Sequence, residues 1–377
     1  MMASDVDLDA TGLLDGLDGH ARQERAELIA WLLDRGFSIE NIRSAFSPML
    51  LPANRIIGDD GTRVSAQELS ESSGVSVELL QRLHRAVGLA RVDDPTLAVL
   101  PRADAESVLP AAELMKVGFT ADEIVLILRL LMDGLTHSAV VMRQTALSHL
   151  LEPGTSELEL ARAAEALSDQ ADPLIGPLTE NLLRLALRHG FQTEVVNAAE
   201  RASGAPPGAR DVAVAFADLV GFTALGEALP PEDLARLAGE LADHARDVAD
   251  DPVQFVKTIG DAVMFVSSEP VALLDAVLDL VDAVAADALP RLRVGVAYGP
   301  AASYAGDWYG KPVNVASRIT AVAPPWTVYA EESARLEIGD APGIAWQEVG
   351  ARRLKGVGGE VRLFRASRAA QAATGSS

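Results

Sequence analysis

Two aspartates, two lysines, an asparagine and an arginine occupy the second half of this chain at separations that suit one site. Asp218 lies in Phe216-Ala217-Asp218-Leu219-Val220-Gly221-Phe222-Thr223. Forty-three residues later comes Asp261, at the end of Lys257-Thr258-Ile259-Gly260-Asp261. Asp307 precedes Asn314 by seven residues, Arg318 follows Asn314 by four, and Lys355 completes the set. Side chains of these types can hold metal ions and a triphosphate. Paired carboxylates suit Mg²⁺ or Mn²⁺, which take oxygen ligands and share them with substrate phosphates. Arginine and lysine suit the phosphates themselves.

The pattern around these residues places them on specific elements. Val212 to Leu219 is a short apolar run that fits a buried strand. Pro231 to Val248 reads as a helix. Val253 to Lys257 and Ala262 to Ser267 read as strands joined into a hairpin by the turn that holds Asp261. A helix over Pro270 to Asp287, a strand over Leu292 to Tyr298 and a helix over Val313 to Val322 follow. Short strands near 326–330, 345–349 and 360–366 close the chain. This β-α-β-β-α-β order is that of a ferredoxin-like α+β sandwich.

Such a sheet brings Asp218, at a strand end, beside Asp261, in a turn. Gly221 permits close backbone approach, and the following turn offers N–H groups to a phosphate. Taken alone, Asp218 reads better as a strand-end acid capping a helix. Lys257 interrupts an apolar run, where a charge needs a partner. Its plainer alternative is an edge-strand lysine that discourages aggregation. Asn314 and Arg318 share one helical face, otherwise a solvated one. Lys355 lies in the basic, glycine-rich stretch Arg352 to Gly359, otherwise a surface loop. Only four lysines occur against 28 arginines, and two of the four belong to this set.

The composition sets limits. A chain of 377 residues fits two domains. Hydrophobic content of 49% with 23% charged residues indicates a globular protein. Net charge of −22 argues against nucleic acid and against an anionic membrane surface. Without cysteine there is no disulfide, thiol catalysis or thiolate metal site. No run of eighteen apolar residues occurs, and Ile124 to Met132 carries Arg129. The N-terminus lacks a signal-peptide pattern. The expectation is a cytoplasmic protein with no integral membrane segment.

From Val212 to about Phe364 the chain resembles the class III nucleotidyl cyclase catalytic domain. The stretch from Phe216 to Thr223, the stretch from Lys257 to Asp261, and Asp307, Asn314, Arg318 and Lys355 carry the resemblance. It implies conversion of ATP to 3′,5′-cyclic AMP at two sites of a head-to-tail homodimer. Asp218, Asp261 and the backbone carbonyl of Leu219 would bind two Mg²⁺ or Mn²⁺ ions. Lys257 and Asp307 of the other protomer would read the adenine edge, the adenylyl rather than the guanylyl choice. Asn314 and Arg318 would stabilise the transition state. Lys355, Phe222 and Thr223 would contact substrate. The chemistry agrees: an in-line attack of the ribose 3′-OH on the α-phosphorus gains from two metals and nearby cations. No general base is obvious. The competing reading is a nucleotide-binding signalling module without turnover.

Pro and Gly cluster at Gly204-Ala205-Pro206-Pro207-Gly208, which marks a domain boundary. Expected are an all-helical regulatory domain over 1–205, a catalytic domain over 206–367 and a frayed tail over 368–377. The first region resembles the helical regulatory region ahead of this domain in some soluble actinobacterial cyclases. Its expected helices are Glu24 to Gly36, two short ones within Ser65 to Ala90, Ile124 to Met132 behind the capping box Thr120-Ala121-Asp122-Glu123, and 137–151, 156–169 and 174–189. The pair around Gly74 has helix-turn-helix spacing, but Arg82, His84 and Arg85 supply little positive charge for DNA. His189 shares a face with Leu178, Leu182 and Leu185 near a helix C-terminus. A histidine there can make domain arrangement respond to pH.

Overall fold

The computed structural model describes residues 7–193, 208–287 and 289–369. The chain forms two compact units, Met1–Leu187 and Arg188–Ser377.

The first unit is helical, with one two-residue antiparallel β pair, Arg63–Val64 with Leu100–Pro101. Helix α1 (Gly19–Asp34) buries Leu28, Ile29 and Leu32. Helices α2 (Ala66–Ser73) and α3 (Val77–Ala86) are each capped by a serine, Ser65 and Ser76. Between them Gly74 takes the left-handed conformation that stops α2. On α3, Arg82 pairs with Asp122 and Arg85 bonds back to the Gln81 carbonyl, so both are engaged within the unit.

Two helices are longer than the pattern suggested. Helix α4 (Ala121–Leu150) starts at the reciprocal Thr120–Glu123 capping box and runs 30 residues. It continues past Gly134, since a single helical glycine costs only about 1 kcal/mol. Among the described residues it is the one helix long and apolar enough to cross a membrane, by length and composition. Helix α5 (Glu157–Thr193) continues through Pro173 and Pro177, joining what read as two helices. Its start is anchored on α1: Ala161 joins the α1 core, and Arg25–Glu157 and Arg35–Glu165 pair the two helices. Over residues 172–188 its side chains are exposed, apart from Thr179, which is half-buried. The side chain of His189 lies outside the described residues.

The second unit is built on an eight-stranded sheet. Its strands are β1 (Arg210–Leu219), β2 (Val253–Ile259), β3 (Ala262–Ser267), β4 (Leu292–Tyr304), β5 (Asp307–Gly310), β6 (Thr327–Glu331), β7 (Ile344–Arg353) and β8 (Glu360–Arg368). Spatial order is β2-β3-β1-β4-β6-β8-β7, with β5 paired to β4. The first four strands, with α6 (Pro231–Asp247) and α7 (Pro270–Ala286) inserted, form the βαββαβ core. Strand β8 runs to Arg368, and 370–377 lie outside the described residues.

Strand alternation sorts β1 between two cores. Ala213, Ala215, Ala217 and Leu219 face α6 and α7. Val212, Val214 and Phe216 face the opposite side, which is covered by α8 (Lys311–Val322) through Val315, Ala316 and Ile319. The same alternation sends Asp218 to the α8 side.

Gly295 on β4 stands opposite Phe216, under α8. A Cβ there would lie 2.4 Å from the Thr320 nitrogen and 2.5 Å from the Ala316 carbonyl oxygen. Gly295→Ala is therefore expected to lower unfolding stability by about 1–3 kcal/mol. Gly239, mid-helix in α6 with nothing within 4 Å of an added Cβ, provides the opposite case. Gly239→Ala is expected to add about 0.5–1 kcal/mol. Urea denaturation of both variants checks the pair.

Candidate active site

Register decides which side chains meet. Asp218 pairs with Ala262 of β3 on one side and Arg293 of β4 on the other. Ala262 in turn pairs with Ile259 across a two-residue turn, Gly260-Asp261. Gly260 has φ 63°, the left-handed conformation such turns require. The turn delivers Asp261 to the end of β1, where the Leu219 N–H donates to the Asp261 carbonyl over 3.3 Å. Asp218 and Asp261 thus lie within hydrogen-bonding reach of each other.

Burial first, and the negative charge of Asp218 second, push the Asp261 carboxyl above the ordinary carboxylate range. Arg293 counters part of this. Its Nε and Nη2 donate to Asp218 Oδ2 at 2.9 and 2.5 Å, and its Nη1 to the Ala321 carbonyl of α8. The sequence reading missed Arg293. The available signal was an arginine inside the apolar strand run Leu292-Arg293-Val294. Two neighbouring carboxylates form a hard-cation donor set, so the residues fit Mg²⁺ or Mn²⁺.

Lys257 reaches the same face through a bulge. Phe255 pairs with Phe265, but Lys257 pairs with Met264, so Val256 is the extra residue. Regular alternation would place Lys257 opposite Val263, on the α6–α7 side. The bulge turns it to the side of Met264 and Phe216 instead. There Lys257 Nζ donates to Asp307 Oδ2. Strand β5, which the sequence pattern did not show, holds Asp307 at the end of a tight hairpin from β4. The other oxygen, Asp307 Oδ1, accepts the Trp308 N–H at 2.8 Å. A donor and an acceptor are thereby fixed side by side, half-buried.

Helix α8 begins at Lys311, two residues before the expected start. Asn314 and Arg318 stand together on its exposed face, and neither side chain has a hydrogen-bond or ion-pair partner among the described residues. Lys355 is exposed in the β7–β8 turn, beside Leu354, which is buried in the α8-side core. Phe222 packs against the α6–α7 core, while Thr223 is exposed in the short helix Phe222–Leu225. Within one chain, then, Asp218 and Asp261 are brought together and Lys257 and Asp307 are brought together. Asn314, Arg318 and Lys355 remain open to solvent.

Residues 206–365 match the adenylate and guanylate cyclase catalytic domain, and residues 6–191 match the adenylate cyclase regulatory domain. A pH-sensitive adenylate cyclase of Mycobacterium tuberculosis is 52% identical across 98% of this chain and 94% of its own length. The chain belongs to the adenylate and guanylate cyclase family. An adenylate cyclase of Streptomyces coelicolor is 28% identical to this cyclase over 78% of the chain and 77% of its own length. Among solved structures, the adenylyl cyclase CyaB of P. aeruginosa is 19% identical. It aligns over 44% of this cyclase and 97% of its own chain with a TM-score of 0.39.

A carboxyl whose folded value is raised binds its proton more tightly in the folded state. Stability therefore falls as pH rises from the unfolded value, about 3.9, through the folded one. In chelator-treated protein, Asp261→Asn is expected to raise the melting temperature at pH 7 by about 2 °C. The gain shrinks as pH falls toward about 4. A gain independent of pH would show that Asp261 carries no such strain.

Proposed function

We propose that this cyclase converts ATP to 3′,5′-cyclic AMP and pyrophosphate, at sites shared by two copies of the chain. The observation that carries the reading is the Lys257–Asp307 pair. An ammonium donor beside a carboxylate acceptor matches the N1 acceptor and N6–H donor of adenine. Guanine presents the reverse pattern on that edge. The whole-length likeness to an adenylate cyclase supports the same base.

Asp218, Asp261 and the Leu219 carbonyl would hold two Mg²⁺ or Mn²⁺ ions, which when bound acidify the ribose 3′-OH and offset phosphoryl charge. The protein's own residues do the remaining work. Lys257 and Asp307 fix the base and so aim the ribose. Arg318 donates to the phosphoryl oxygens as charge builds on them, and Asn314 holds the ribose end of the reacting bond. Lys355 draws the outer phosphates and the departing pyrophosphate. Phe222 and Thr223 follow Asp218 and line the phosphate end. Asn314 and Arg318 point away from their own sheet, which supports their acting on nucleotide held by the partner's Asp218 and Asp261.

The purified chain should therefore form cyclic AMP from ATP with Mn²⁺ or Mg²⁺. Asp261→Ala and Arg318→Ala should each lose activity by about 100-fold or more. Mixing these two inactive variants should restore about a quarter of wild-type activity, since half the dimers would carry one intact site. Product formation by Asp261→Ala equal to wild type would overturn the metal assignment. No recovery on mixing would overturn the shared site.

We propose further that the N-terminal unit adjusts this activity with pH, partly through His189. The likeness to a relative described as pH-sensitive supports it, because that likeness spans both units. Activity of the full chain beside residues 206–377, measured across pH, should give profiles of different midpoint. His189→Ala should move the full-chain profile toward that of 206–377, and an unmoved profile would remove His189 from the account.

A further inference from the structure

Helix α8 meets the sheet through Pro312, Val315, Ala316, Ile319 and Thr320. Four of these are apolar. The fifth, Thr320, is 4% exposed. A buried hydroxyl is costly unless it bonds, so its partners show what it secures. Its Oγ1 lies 2.9 Å from the Ala316 carbonyl one turn back, the ordinary refuge of a helical threonine. It also lies 3.1 Å from the Phe216 carbonyl of β1. That second contact leaves the helix altogether. It is possible only because Gly295 has no side chain: a Cβ there would stand 2.7 Å from this hydroxyl.

The position of the bond matters more than its strength. Phe216 is two residues from Asp218 on the same strand and the same face. Thr320 is two residues from Arg318 and six from Asn314 on the same helix. One proton, shared between two carbonyls, joins the strand bearing Asp218 to the helix bearing Asn314 and Arg318. Apolar packing by Val315, Ala316 and Ile319 holds α8 down but resists sliding and rotation weakly, since dispersion contacts are not directional. A hydrogen bond is directional.

We propose that Thr320 is a positioning residue, whose hydroxyl sets the height and rotation of α8 over β1 and thereby the reach of Asn314 and Arg318. The inference rests on the cyclase reading for its kinetic consequence, not for its structural one. In a dimer with shared sites, the carboxylates of a chain serve one site and its Asn314 and Arg318 the other. The Thr320 bond then ties the geometry of the two sites together within each chain.

Two variants isolate the hydroxyl. Thr320→Val keeps the shape and removes the bond, and Thr320→Ser keeps the bond with a smaller side chain. In the full chain with Mn²⁺ and ATP, Thr320→Val is expected to lower kcat about tenfold. A displacement of about 1 Å at a reacting group costs up to 100-fold. KM should stay within about twofold, because binding made equally in ground and transition states is untouched. Thr320→Ser should keep kcat within about threefold of wild type. Hydrogen–deuterium exchange of the peptide spanning α8 should be several-fold faster in Thr320→Val and near wild type in Thr320→Ser. Wild-type exchange in Thr320→Val, or an equal kcat loss in both variants, overturns the inference. If wild-type protein forms no cyclic AMP, the cyclase reading fails by itself, and the exchange comparison still decides the role of Thr320.

Discussion

Two carboxylates within reach of one another are the constraint that organises the second unit. Asp218 and Asp261 repel when both are ionised and partly buried, so the fold must spend order elsewhere to keep them together. It does so with backbone. Asp218 is fixed by a strand paired on both sides, and Asp261 by a two-residue turn whose glycine accepts a conformation other residues resist. The Leu219 N–H to Asp261 carbonyl bond closes the gap between strand end and turn. Arg293 supplies the nearest positive charge and bonds to the Ala321 carbonyl of α8 as well. A site made this way is ready for a divalent cation because the electrostatic cost of assembling its ligands is met during folding.

Much of this was legible in the sequence because the motif residues sit at element ends, where turn chemistry is local. Gly260-Asp261 between two β-rich runs reads as a hairpin on its own. The βαββαβ order also followed from the alternation of short apolar runs and longer helical ones. What escaped depended on partners distant in the chain. Strand β5 is four residues long and exists only because β4 is there to pair with it. Arg293 looked like a strand residue until register set it opposite Asp218. Nothing in the helical run around Thr320 marks its strand contact, which depends on Gly295, 25 residues earlier.

The N-terminal unit shows the complementary limit. Its expected cap is there: the Thr120–Glu123 capping box starts α4, and Ser65 and Ser76, which carried no such expectation, cap α2 and α3. Its long helices were not legible, because Gly134, Pro173 and Pro177 are punctuation that context overrode. Helix α5 carries Ile175, Leu178, Leu182 and Leu185 in solvent over its second half. Such a helix is marginal in isolation, since most helical stability comes from packing an apolar face.

The bulge at Val256 divides β2 into two halves that answer to different demands. Upstream, Phe255 is phased by the aromatic packing of Phe265 and by the guanidinium of Arg246 over its ring. Downstream, Lys257 is phased by the turn at Gly260-Asp261. Without the extra residue one phase would govern both, and the lysine would be trapped beneath the helices whenever the phenylalanine was well packed. With it, the hydrophobic interior is insulated from the reaction face. The interior can drift in evolution, exchanging one apolar side chain for another, while the ammonium keeps its aim.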